Sequence, residues 1–459
     1  MLSRLIRRTG IVQPKNILRT LPSGIEKKYT QRYPKPIETS SNTTLNQWSR
    51  KHFFSTLSIE NPSTKTIRFH DSNELSQFFS NEDVKKWHNF IEKGTVFVHH
   101  EGHCANTLIS ELMNIGIKNI VLVSKQEECE FESRVSGKIV INDFNDLTTN
   151  YDAIRNYCDK NKIEMARVLV GWGYSSESQD VPTQSEKVRS LLPDCDFKTP
   201  CNSVDTLKLV ADKDAFDKTI HEYGLNGIPN YNIKYGEDFD DNPKNMIKFA
   251  NQLFLDDHQL SEIDIYIKHP STGGGRGIVP VSFSRHDMEK TAYLSQKVSE
   301  INNAISTCHK EGEKFLPENV KKPLVLQFGI KDAQHIEVQM IGDKIVGLRE
   351  CSAQERGQKK AEGTVSLDPK LIEEIKQQAK VLAVKSKLTG PNTIELLVPK
   401  TNFYFLEINT RLQVEHPVTD FESEISVIGA FLADNLGIVG FKTVKLGAAG
   451  NTIIKKDNK

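Results

Sequence analysis

Phe403-Tyr-Phe-Leu-Glu-Ile-Asn-Thr-Arg-Leu-Gln-Val-Glu-His416 is the stretch whose reading decides the fold. From Glu407 onward every second residue is polar: Glu407, Asn409, Arg411, Gln413 and Glu415. Ile408, Leu412 and Val414 between them are apolar, and only Thr410 breaks the alternation. Side chains of an extended chain point alternately to opposite faces, so a strand over 403–414 would put all the polar groups on one side. A carboxylate, an amide, a guanidinium and a second carboxylate in one row suit a metal ion beside an oxyanion, as phosphoryl transfer requires. An amphipathic strand with one wet face alternates in the same way, and the row alone leaves both readings open.

Neighbouring segments favour a site. Glu395 is the only charge in the apolar run Thr393-Ile-Glu-Leu-Leu-Val398, where a carboxylate is costly unless paired or bound to a cation. The turn Pro399-Lys-Thr-Asn402 joins this run to the first, so a hairpin would bring Glu395 and Glu407 face to face. Upstream, Ile267-Lys-His-Pro-Ser-Thr-Gly-Gly-Gly-Arg-Gly277 follows an apolar strand pattern. Its glycines suit a backbone cradle for phosphate or a moving flap, and equally a flexible turn; Lys268 can set an ammonium against phosphates. No Gly-Lys-Ser/Thr follows, so it is not a Walker loop. Cys351-Ser-Ala-Gln-Glu-Arg-Gly-Gln-Lys359 is dense enough in Gln, Arg and Lys to bind an anion, or to be an exposed loop.

Residues 94–203 read as short strands at 95–98, 120–123, 138–141 and 167–170 separated by helical segments, which predicts a doubly wound parallel sheet, a Rossmann-like α/β unit. The loop Gly171-Trp-Gly-Tyr-Ser-Ser-Glu177 follows the last of these strands, where such sheets place ligand-facing loops. His99-His-Glu-Gly-His-Cys104 invites a metal reading, but its spacing fits no zinc pattern, and a plain strand-to-helix turn accounts for it. Helical signals at 204–223 and 369–387 flank strands at 263–268, 324–328 and 335–341, an α+β pattern.

Sixty basic and sixty acidic residues give a net charge of zero, so bulk electrostatics imply neither nucleic acid nor a membrane surface as partner. No apolar run approaches a membrane span, and seven cysteines without a Cys-x-x-Cys suggest free thiols in a reducing compartment. Residues 1–57 carry Arg4, Arg7, Arg8, Lys15 and Arg19 against only Glu26 and Glu38, with Leu2, Leu5 and Ile6 beside them. That composition predicts a mitochondrial transit peptide and a matrix location, or else a disordered basic tail. Residues 58–93 are expected to be a linker, and residues 441–459 a disordered tail.

Together these motifs resemble the ATP-grasp core of biotin carboxylases over residues 95–419. Phe405-Leu-Glu-Ile-Asn-Thr-Arg-Leu-Gln-Val-Glu-His-Pro-Val-Thr419, Gln334-His-Ile-Glu-Val-Gln339 and Cys351–Lys359 carry the likeness, and the 171–177 loop is similar to that of eukaryotic acetyl-CoA carboxylases. The resemblance implies a pre-ATP-grasp unit at 94–203, an ATP-grasp unit at 204–440 with a glycine-rich lid at about 229–327, and an MgATP-dependent ligase. In that family Lys213, Lys268, Gly273, Gly274, Gly275, Arg276, Gly277, Gln327, His335 and Gln354 would hold ATP. Glu395, Glu407 and Asn409 would bind Mg2+ (or Mn2+), Lys359, Arg411, Gln413 and the Val414 amide would hold bicarbonate, and Glu415 would deprotonate it. Biotin would come in trans on a carrier protein, with a carboxyltransferase as further partner. Ser271, Thr272, Gly357, Gln327 and the 99–103 loop depart from the family pattern. The family's C-terminal lobe and its Ala-Met-Lys-Met biotin site are not found in the 43 residues after His416 (459 minus 416), which keeps an ATP-binding, catalytically incomplete paralogue as the alternative.

Overall fold

A computed structural model describes residues 79–100, 105–125, 132–171, 174–211, 213–228, 230–231, 243–269, 277–312, 314, 324–351, 361–363, 365–400, 402–423 and 426–438. The transit-peptide segment, the Glu101–Cys104 part of the histidine run and the tail lie outside them.

In chain order the first elements are α1 (Asn81–Lys93), β1 (Thr95–His99), α2 (Ala105–Ile115), β2 (Asn119–Ser124), β3 (Gly137–Val140), α3 (Leu147–Asn161), β4 (Met165–Val170), α4 (Asp180–Leu191) and β5 (Asp196–Lys198). The strands form one parallel sheet in the order β3-β2-β1-β4-β5, the doubly wound arrangement expected from the alternating pattern. Strand β1 is buried along its whole length, as a central parallel strand covered on both faces must be.

Residues 81–93 are not a linker. The Ser80 hydroxyl caps α1 by accepting from the Asp83 amide at 3.1 Å, and Val84, Trp87, Phe90 and Ile91 bury its apolar side. The charged residues between them hide that stripe, because the period is 3.6 rather than 2. Gly94 ends the helix where a Cβ would sit 2.5 Å from the Phe90 ring, so no larger residue fits.

The second half comprises α5 (Val204–Ala211), α6 (Lys213–Glu222), β6 (Asn230–Tyr231), α7 (Pro243–Asp256), β7 (Glu262–Lys268), β8 (Ile278–Ser284), α8 (Thr291–Gly312), β9 (Val325–Phe328), β10 (Ala333–Ile341), β11 (Lys344–Cys351), β12 (Ala361–Gly363), α9 (Pro369–Lys385), β13 (Pro391–Pro399), β14 (Tyr404–Asn409), α10 (His416–Ser423) and α11 (Val427–Asn435). A four-stranded antiparallel sheet, β6-β9-β7-β8, packs with α7 and α8, and a five-stranded antiparallel sheet runs β12-β11-β10-β13-β14.

The five-stranded sheet has two unlike faces, and period-2 geometry explains both. Ile336, Val338, Met340, Ile394, Leu396 and Val398 are all at most 1% exposed and pack with Leu371, Ile375, Ala379 and Leu382 of α9. Each fully buried aliphatic side chain contributes about 1.5–3 kcal/mol, which holds the helix on that face. The intervening residues, His335, Glu337, Gln339, Thr393 and Glu395, are polar and point the other way.

Helix α11, placed by sequence in the ATP-grasp unit, packs its Val427, Ile428 and Phe431 into the same core as α1 and α2. The first sheet and the end of the described chain therefore share one core. No helix among the described residues is long and apolar enough to cross a membrane.

Candidate active site

The polar face of the five-stranded sheet carries a ladder of charge. Antiparallel register sets Arg349 opposite Glu337, Glu337 opposite Glu395, and Glu395 opposite Glu407, across β11, β10, β13 and β14. The next rung places Gln339 opposite Thr393 and Thr393 opposite Asn409. The hairpin read from sequence thus does bring Glu395 and Glu407 face to face. Glu337 and Arg349 are both 0% exposed, with Arg349 Nε 2.6 Å from Glu337 Oε2. The Arg349 guanidinium also donates to Gln339 Oε1 at 3.1 Å, Thr419 Oγ1 at 2.7 Å and the side-chain oxygen of Gln413.

Glu395 is the centre of this network. Its Oε2 lies 2.7 Å from His335 Nε2, and its Oε1 accepts from Asn409 Nδ2 at 2.7 Å and Gln413 Nε2 at 3.3 Å. Among the described residues the ladder holds three carboxylates and one guanidinium, with the His335 ring beside Glu395. Carboxylate and amide oxygens are the donors that hard Mg2+ takes. Asn409 spends its Nδ2 on Glu395 and leaves Oδ1 as an acceptor. Ligand atoms of His335, Glu337 and Glu395 lie within 4.8 Å of one another, a group that shares Glu395 with the expected set and includes neither Glu407 nor Asn409. By chemistry alone, the carboxylates and the Asn409 oxygen are donors suited to such a cation.

The second half of the opening stretch departs from expectation. Strand β14 stops at Asn409, and Arg411, Gln413 and Glu415 do not continue the row. The Thr410 amide turns away from the sheet to donate to Glu177 Oε1 at 3.1 Å, and Arg411 Nε sits 3.3 Å from Glu177 Oε2. Residues 413–416 then form a turn, with the His416 amide donating to the Gln413 backbone carbonyl at 3.2 Å, and α10 begins. Val414 is 39% exposed at this turn, Glu415 is partly exposed, and Gln413 is 4% exposed. The side chain of Gln413, held by Arg349 at one end and Glu395 at the other, ties the turn to the ladder.

Lys268 and Gln327 meet on the four-stranded sheet, where the lysine Nζ donates to Gln327 Oε1. Gly277 closes the base of the glycine loop with a φ of +59° and accepts from the His269 amide at 2.9 Å. Lys213 opens α6, but its side chain lies outside the described residues, as do Gly273, Gly274, Gly275, Arg276, Gln354 and Lys359. His99 belongs to no metal site among the described residues: it is fully buried beside the Phe144 and Tyr151 rings, and burial pushes it down to about 4.

Sequence reasoning missed Glu337, Arg349 and the role of Glu177. The alternation His335-Ile-Glu-Val-Gln339 marks the face Glu337 occupies, and Glu177 ends the loop already singled out. Arg349 becomes visible only when the β10–β11 register is known.

Residues 261–430 match the family "Carbamoyl-phosphate synthase L chain, ATP binding domain". The chain is 25% identical over 338 residues to the mitochondrial propionyl-CoA carboxylase alpha chain of Mus musculus, covering 71% of this chain and 41% of that one. It is 23% identical over 345 residues to biotin carboxylase 1 of Bacillus subtilis, covering 72% and 68%. The crystal structure of a biotin carboxylase–β,γ-ATP complex from Campylobacter jejuni superposes with a TM-score of 0.53 at 22% identity, covering 79% of this chain and 72% of that one. The chain thus spans less than half the length of the mouse relative. The matched segment is similar to an ATP-binding domain, and over about seven tenths of its length the chain is similar to biotin carboxylases, whose fold it shares.

Proposed function

We propose that the chain is an MgATP-dependent ligase that phosphorylates bicarbonate to carboxyphosphate and carboxylates biotin presented on a carrier in trans. The observation that carries this reading is the junction at Gln413, which joins a carboxylate ladder suited to a cation to the segment after β14 that bears Arg411 and Glu415. ATP binding alone needs the first and has no use for the second.

Mg2+ held by Glu395, Glu407 and the Asn409 oxygen would neutralise the triphosphate charge that builds up during transfer. Lys268 at the end of β7, with Lys213 and the glycine loop, would hold the phosphates, and Gln327 and His335 would line the nucleotide site. Arg411, Gln413, the Val414 amide and Lys359 would bind bicarbonate. Glu415 would take its proton, because bicarbonate becomes a competent nucleophile only as the dianion, which the guanidinium steadies. Closure of the glycine loop would keep water from the carboxyphosphate.

The pairing of Arg411 with Glu177 favours a second reading, in which a protein carboxylate fills the anion position and the chain binds nucleotide without turnover. ATP hydrolysis by the full chain, measured with and without bicarbonate and free biotin, separates the two. The ligase reading expects bicarbonate-dependent hydrolysis that falls about a hundredfold or more in Glu415→Gln. Nucleotide binding with no bicarbonate response leaves only the second reading. The basic 1–57 segment supports delivery to the mitochondrial matrix, and a reporter fused to it that stays in the cytosol would remove that part.

A further inference from the structure

His416 follows the proposed base directly and is 0% exposed. Its Nδ1 lies 2.9 Å from the Gln413 backbone carbonyl oxygen and its Nε2 2.7 Å from Glu111 Oε1 on α2. A carbonyl oxygen only accepts, so Nδ1 carries a hydrogen; a carboxylate likewise accepts from Nε2. A ring that donates from both nitrogens is an imidazolium. Glu111 needs that charge, because its Oε2 is also buried and has no hydrogen-bond partner among the described residues.

The charged groups around the ring are consistent with this state. Glu111 faces it from α2 and Asp420 from its own helix, while Arg349 reaches the neighbouring Thr419 from β11, and Glu415 precedes it in the turn. Burial alone would lower the His416 value, but the Glu111 charge and hydrogen bond, Asp420 and the Gln413 carbonyl outweigh it and push the ring up to about 9. Asp420 is itself pushed well above the carboxylate range, by burial first and then by Glu111.

We propose that His416, kept as an imidazolium by Glu111, is the positioning residue that fixes the Gln413-Val414-Glu415 turn, so that helix α2 of the first sheet sets the geometry of the bicarbonate base. The inference rests on the role given to Glu415 above. It adds a specific dependency: a residue 305 positions away, on α2, controls the anion half of the site. Through the imidazolium, Glu111 holds the Gln413 backbone carbonyl, and the Gln413 side chain is in turn pinned by Arg349 and Glu395. Loss of the ring proton frees one end of that tether.

The test uses the full chain and Glu111→Gln, which keeps an acceptor oxygen and the side-chain shape while removing the charge. Nitrogen-15 NMR of labelled histidine, with the His416 signals assigned by their loss in His416→Asn, reads the ring directly. The wild type should remain doubly protonated through pH 8, and in Glu111→Gln the midpoint should fall by about one to three pH units. Above that lowered midpoint, kcat/KM for bicarbonate-dependent ATP hydrolysis should drop about ten- to a hundredfold in the variant, with the KM for MgATP within about twofold of wild type. A neutral His416 in the wild type at pH 7, with or without bound Zn2+ in place of the proton, overturns the proposal. So does a variant whose pH profile parallels the wild type although its ring has lost the proton. A wild type without bicarbonate-dependent hydrolysis overturns it through the role of Glu415, and a protonated ring in the same sample shows that the functional reading failed rather than the clamp.

Discussion

Arg349→Met is the perturbation whose size follows most directly from the structure. Arg349 and Glu337 are both 0% exposed, and the guanidinium also satisfies Gln339, Thr419 and Gln413. Removing one member of a buried ion pair leaves the other charge desolvated and costs about 3–5 kcal/mol. Here Glu337 would also face Glu395 across the β10–β13 pair without its counter-charge, which places the expected loss at the upper end of that range. Amide hydrogen exchange in β10, β11 and β13 is the assay, because it reports opening of this sheet rather than of the whole chain. A loss of about 3–5 kcal/mol accelerates exchange there by roughly two to nearly four decades. Glu337→Leu combined with Arg349→Met removes both charges and should recover about half or more of the loss, the remainder being the orphaned Gln339 and Gln413 oxygens. Acceleration below about tenfold in Arg349→Met, or a double variant no better than the single, would refute the ladder as a coupled buried network.

Three further outcomes follow from the same geometry. Saturating MgATP at about 100 times Kd should stabilise the wild type by about 2.7 kcal/mol in thermal unfolding, and Glu395→Gln should lose the part that requires Mg2+. Glu177→Gln should raise the bicarbonate KM about tenfold at unchanged MgATP KM if the carboxylate positions Arg411, whereas tighter bicarbonate binding would show that it blocks the site. Stability should fall on both sides of about pH 6.5. On the acid side His99, held down to about 4, contributes stability that is present above 6.5 and lost as pH falls toward 4. On the alkaline side His416, held up to about 9, contributes stability that is present below 6.5 and lost as pH rises through 9. Each limb is worth about 3 kcal/mol at most, read as urea midpoints against pH, and His99→Leu should flatten the acid limb alone.

Local pattern makes much of this architecture readable. The alternation at His335–Gln339 and the lone charge in Thr393–Val398 define a sheet with one apolar and one functional face, and the short turn after Pro399 fixes the Glu395–Glu407 pairing. The alternation after Asn409 misleads for a physical reason. Thr410 and Leu412 are buried by tertiary contacts rather than by a strand, and the partner that draws Thr410 off the sheet is Glu177, 233 residues away. Glu111 and His416 are invisible for the same cause: neither residue sits in a local pattern that names the other. The linker expected at 58–93 fails over α1, where a single helical stripe of Val84, Trp87, Phe90 and Ile91 is interrupted by charges. What sequence cannot show is which of two carboxylates meets a given cation, because register and long-range packing decide it.

The central claim is that this chain phosphorylates bicarbonate. It is tested most directly by incubating the full chain with MgATP and oxygen-18 bicarbonate and following the label into inorganic phosphate. Attack of a bicarbonate oxygen on the γ-phosphorus makes that oxygen the bridge of carboxyphosphate, and release of CO2 leaves it on phosphate. The account predicts one labelled oxygen per phosphate released, abolished in Glu415→Gln. Phosphate that takes its new oxygen from water alone would contradict it.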